Sequence, residues 1–77
     1  MIANKIFSIN LAAFIYLVSK IEPRLSKDQN GNVFFIFPND PSVSLIINVY
    51  RGNRVNVDLK DYLESYRYIR SMMRTFK

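Results

Sequence analysis

The stretch DPSVSLIINVYRG, residues 40–52, decides what kind of fold this chain adopts. Val43, Leu45, Ile47 and Val49 alternate as in a half-buried strand, while Val43, Ile46, Ile47 and Tyr50 recur at helical spacing. The two ends break the tie. Asp40 followed by Pro41 is an N-cap with proline in the first turn, where its missing N–H removes no helical bond. Gly52 stands where a helix terminus favours a left-handed residue. The stretch is therefore read as a helix.

Working back from it, NVFFIF (32–37) is apolar at consecutive positions. A strand here has both faces covered, Phe35 and Phe37 on one and Phe34 and Ile36 on the other. Residues 24–27 form a more polar partner strand with Leu25 as its core residue, and DQNG (28–31) joins the two through a turn in which Asn30 and Gly31 tolerate positive φ. Earlier still, Ser8 or Asn10 caps a helix from Ile9 to about Lys20. Its apolar residues cover more than one stripe, which predicts burial on several sides, and Pro23 stops any continuation.

Working forward, Asp58 caps the longest element, in which Leu59, Tyr62, Leu63, Tyr66, Ile69, Met73 and Phe76 recur at three and four residues and make one apolar face. The predicted architecture is a single α+β domain over residues 1–77, in the order helix, hairpin, helix, helix. A two-stranded antiparallel sheet packs on the helices, with residues 54–57 available as a short third strand.

Composition bounds the chemistry. A chain of 77 residues is near the size at which one core supplies only about 3–5 kcal/mol of net stability. With no cysteine and no histidine, disulfides, thiolate chemistry and the usual zinc sites are excluded. Six Phe and five Tyr supply the packing area of a globular chain. The uncharged run 6–19 contains LAAFIYLV (11–18) but falls short of the roughly 20 residues that a bilayer requires, and no small-residue cleavage site follows it. A buried helix is the better account, and a cytoplasmic protein without a membrane partner is expected. Eleven Lys and Arg against six Asp and Glu leave a net charge of +5, which favours encounter with polyanions or acidic surfaces.

The run FSINLAAFIYLV, the hairpin ending in VFFIFPND and the later YRGNRVNVDLKDYLESYRYIRSM resemble a family of uncharacterised small proteins of bacteria and their phages, a domain of unknown function. The resemblance covers roughly residues 7–73, and its elements are a polar cap before LAA, an aromatic strand near FIF, a Tyr-x-Gly after the middle helix and a hydrophobic, basic last helix. It implies the same order of elements and a phage or mobile-element origin. It brings no active residue with it.

An enzyme needs groups that exchange protons or attack carbon or phosphorus near neutral pH, and they are scarce here. Asp28 belongs to a turn, Asp40 and Asp58 to helix caps, and Asp61 and Glu64 to the first turns of a helix. Asp58 and Asp61 could approach one another, but their helix-start positions account for them. With two glycines, Gly31 and Gly52, each in a turn, no phosphate-cradling loop exists. No catalytic residue, metal ligand or cofactor is expected.

What remains is YRYIRSMMRTFK (66–77). At about 100° per residue, Lys60, Arg67, Arg70, Arg74 and Lys77 fall together on an arc roughly 100° wide beside the apolar face. This row could track the phosphates of DNA or RNA, with Arg51 and Arg54 in the preceding segment as extensions. Helix-dipole complementarity also explains acids at the start and cations at the end, worth about 0.3–1 kcal/mol per charge. A protein-interaction module that sets Tyr68, Met72 and the basic arc against an acidic protein surface is the alternative, and a virion structural component a third. Leu59, Tyr62, Tyr66, Ile69, Met73 and Phe76 also fit heptad positions, so a homodimer seam competes with packing inside the chain.

Overall fold

The computed structural model describes residues 4–52 and 56–76. Its elements are β1 (Asn4–Ile6), α1 (Ile9–Ser19), β2 (Arg24–Lys27), β3 (Val33–Phe37), α2 (Pro41–Arg51) and α3 (Leu59–Thr75). The class is the α+β one expected, but the order begins with a strand and the sheet has three strands, β1-β3-β2, antiparallel throughout. The third strand is β1. Asn56 and Val57 belong to no element, and 54 and 55 lie outside the described residues. The central place of β3 explains the difference: a two-stranded hairpin leaves the N–H and C=O groups on the other edge of β3 unpaired. β1 satisfies them by pairing Asn4, Lys5 and Ile6 with Phe37, Ile36 and Phe35, while the helices cover one face of β3 and not the two expected.

The hairpin closes on Asp28. Its Oδ1 accepts from the backbone N–H groups of Asn30 and Asn32, both at 2.9 Å, and Gly31 N–H donates to the Asp28 carbonyl at 3.1 Å. Gly31 sits at φ 84°, a conformation available to glycine at little cost. Asn30 does not share it, so the turn uses one left-handed residue and not two.

Three caps were readable and each is used differently. Ser8 caps α1, its hydroxyl accepting from Leu11 N–H at 3.2 Å. Asp40 caps α2, its Oδ1 accepting from both the backbone N–H and the hydroxyl of Ser42 at 2.8 and 2.6 Å, with Pro41 in the first turn. Asp58 occupies the N-cap position of α3 but makes no side-chain cap bond. At the other end of α2, Gly52 has φ −79°, so the glycine at its C-cap is not left-handed. The left-handed terminus belongs instead to Lys20 at φ 62°, whose N–H donates to the Tyr16 carbonyl at 2.8 Å where α1 stops, three residues before the buried Pro23.

The helices form one layer on one face of the sheet. Ala12, Ala13, Phe14 and Ile15 are consecutive and all buried, as expected of a helix covered on several sides, because α1 touches α2, α3 and β1. The core joins these residues to Ile6, Phe35, Phe37, Val43, Ile46, Ile47 and Ile69. Small side chains let α1 and α3 approach closely: Ser65 is buried and donates to the Ala13 carbonyl at 2.6 Å. That contact turns α3 about its axis relative to the expected apolar face. Leu59 and Leu63 are consequently 69 and 40% exposed, while Tyr62, Tyr66, Ile69 and Met73 pack inward as expected. The heptad-like stripe is thus largely consumed within the chain. Among the described residues, no helix is long and apolar enough to cross a membrane.

Candidate nucleic-acid interface

The site is built on the solvent side of α3. Lys60, Arg67 and Arg74 are spaced seven residues apart and so lie in one line along the helix, with Arg70 beside it. All four are exposed. From Arg67 to Arg74 the helix rises about 10 Å, comparable with a few nucleotides of strand at roughly 3.4 Å each. Among the described residues no ion pair joins these cations to a carboxylate.

Behind the row the chain folds a shallow groove of about 460 Å³, lined by Ile9, Tyr66, Arg70, Met73 and Arg74. Its floor is apolar and aromatic, and its two charged lining residues are arginines. Ile9 comes from the first turn of α1, which the close α1–α3 contact through Ser65 and Ala13 brings against the middle of α3. Tyr62 holds the two helices in register one turn earlier by donating to the Asn10 carbonyl at 3.2 Å. Burial, with Tyr50 and Tyr66 nearby, pushes the Tyr62 phenol above its ordinary pKa, so it remains a donor at neutral pH.

The opposite side of α3 has the other polarity. Asp61 and Glu64 line a cavity of about 390 Å³ with Tyr16, Leu17, Lys20, Ser65 and Tyr68. Tyr68 is not free on the far side of the helix: its ring stacks on Tyr16 at 4.9 Å between centroids and 21° between planes, and its hydroxyl donates to the Glu22 carboxylate. That hydrogen bond is the main reason its phenol is held above the ordinary tyrosine range. Met72 is half-buried and packs against the core. Neither residue sits in the Arg70–Arg74 groove.

Of the remaining expected cations, Arg51 ends α2 and lines a separate cavity of about 240 Å³ beside β1, with Asn4, Lys5, Ser44 and Asn48 among its neighbours. It does not extend the α3 row. Arg54 and Lys77 lie outside the described residues. Among the described residues, no group of three or more acidic or other metal-ligating side chains is placed to hold a metal ion.

Sequence reasoning missed Ile9, Tyr66 and Met73 as the groove's floor, because periodicity marks Tyr66 and Met73 only as inward-facing and gives no hint that Ile9 will meet them. It also missed the exposure of Leu59 and Leu63 on the basic arc. The signal for that was Ser65, a small polar residue at the centre of what becomes the helix contact.

The fold and this surface together define a small basic α+β domain with a cationic, apolar-floored helix face. Residues 3–75 match the model of the family described as Domain of unknown function (DUF5659), and the chain belongs to that family. No match was found among curated proteins or solved structures.

Proposed function

We propose that the protein binds nucleic acid without catalysing a reaction, through phosphate contacts from Lys60, Arg67, Arg70 and Arg74 on α3. The observation that carries the reading is the groove in which Arg70 and Arg74 flank an apolar floor of Ile9, Tyr66 and Met73. Guanidinium groups engage phosphate oxygens bidentately, and an apolar, aromatic floor between them accepts the sugar or base edge that lies between successive phosphates. Little base specificity follows, because no element here carries the pattern of a named major-groove reader. In this reading the protein is a cytoplasmic accessory factor of the phage or mobile-element kind that its sequence resemblance implies.

A second reading has its own support. Leu59 and Leu63 are exposed on the same arc as the arginines, which suits a protein partner offering an apolar patch rimmed by acids. Leu59 and Leu63 then replace Tyr68 and Met72 as the anchors.

Fluorescence anisotropy with short single- and double-stranded DNA and RNA separates the two. The nucleic-acid reading expects binding that the combined substitution Arg67→Ala, Arg70→Ala and Arg74→Ala abolishes while circular dichroism stays unchanged. Absence of binding even at low salt overturns it and directs attention to Leu59 and Leu63.

A further inference from the structure

The helices occupy one face of the sheet, and the pairing register defines what stands on the other. Arg24, Ile36 and Lys5 lie in one row across the three strands, and Ser26 and Phe34 in the next. Phe7, just past β1, completes that second row by packing its ring on Phe34 at 5.3 Å between centroids. Lys5 holds its ammonium 5.3 Å from the same Phe34 ring. Phe34 is thereby only 6% exposed although it lies outside the helix-facing core, while Phe7 is 56% exposed. The strand residues Phe35 and Phe37, one position out of phase, face the helices. Among the described strand residues, the charged side chains on this outer face are Lys5 and Arg24, and no carboxylate accompanies them.

We propose that this outer face binds single-stranded nucleic acid, an unpaired base stacking on the Phe7 ring while Lys5 and Arg24, together in the neighbouring row, hold phosphates on one side of that base. An exposed aromatic ring in the row next to two cations on an antiparallel sheet provides the two things a single strand offers partners for, π-faces and a regular negative charge. A duplex keeps its bases stacked and cannot use the ring. A second copy of the chain would set Lys5 and Arg24 against their own kind with no acid among the described strand residues of the face to neutralise them. The inference adds a surface distinct from α3 and does not rest on the α3 reading.

The test is anisotropy with labelled oligothymidylate of about 12 nucleotides, within the range one such module covers, and with the matching duplex. Two sheet variants are compared with the parent and with the α3 triple substitution: Phe7→Leu, which keeps an apolar cover over Phe34 but removes the flat ring, and Lys5→Gln with Arg24→Gln. The expected result is that Phe7→Leu weakens oligothymidylate binding by roughly tenfold and leaves duplex binding unchanged, with the double Gln variant losing affinity and salt dependence for the single strand. Oligothymidylate binding that the Phe7→Leu and double Gln variants retain in full, or that is absent in the parent, overturns the inference. If the α3 triple variant alone loses binding, the α3 reading stands and this one falls; if only the sheet variants lose it, the reverse holds. A dimer seen by sedimentation that Phe7→Leu dissolves, without oligothymidylate binding, also overturns it and assigns the face to a second copy.

Discussion

Ser65 fixes the distance between α1 and α3. Its buried hydroxyl donates to the Ala13 carbonyl at 2.6 Å, and its small size lets the two helices sit close. Ser65→Ala therefore removes one hydrogen bond from a carbonyl that keeps its helical partner, at about 0.5–1.5 kcal/mol. Ser65→Leu forces the helices apart and costs about 1–3 kcal/mol. Urea unfolding is expected to order the midpoints as parent, Ser65→Ala, Ser65→Leu, with unchanged slope for the first two. The same residue explains a sequence misreading. The apolar periodicity of α3 centres its buried face near Tyr66, which puts Leu59 and Leu63 inside; the contact through Ser65 turns that face and leaves both leucines among the arginines. A polar residue in a packed seam breaks the pattern from which periodicity is read.

At the scale of elements, the local signals were legible and the long-range ones were not. Ser8, Asp40 with Pro41, and the turn from Asp28 to Gly31 act over a few residues, and the chain uses them where the sequence places them. β1 could not be read, because three residues carry no usable periodicity and its pairing joins Asn4 to Phe37 across the whole of α1 and the hairpin. The cationic arc was legible from helical spacing alone, whereas the groove behind it requires Ile9 from a different helix. Two of the local devices also set a pH dependence. Hydrogen bonds from Asn32, Asn30 and Gly31 hold the Asp28 carboxyl below the usual aspartate range, and those from the Ser42 hydroxyl and N–H do the same for Asp40. A depressed folded-state pKa stabilises the fold above the unfolded value of about 3.9, and that contribution is lost as pH falls through the lower folded value. Stability is therefore expected to decline on acidification below about pH 5, and Asp28→Asn with Asp40→Asn to flatten the decline. Urea midpoints across that range check it; an unchanged decline in the double variant contradicts the assignment.

The whole molecule is two layers within extents of 34 × 29 × 19 Å, with α1 as the shared neighbour of both other helices. This arrangement leaves two surfaces uncovered and cationic, the outer arc of α3 and the outer face of the sheet, and gathers Asp61 and Glu64 with Lys20 along the remaining side of α3. In the proposed readings these two faces put part of the charge excess of +5 to use in binding. The central claim is that Arg67, Arg70 and Arg74 contact phosphates, and its most direct test is the salt dependence of duplex binding in the parent and in the three single alanine variants. Each true phosphate contact contributes close to one unit of slope in log K against log salt, about 0.9 for a duplex. The account predicts that each substitution weakens binding across all sequences and lowers the slope by about 1. A slope near zero in the parent, or single variants that bind with the parent's affinity and slope, contradicts it.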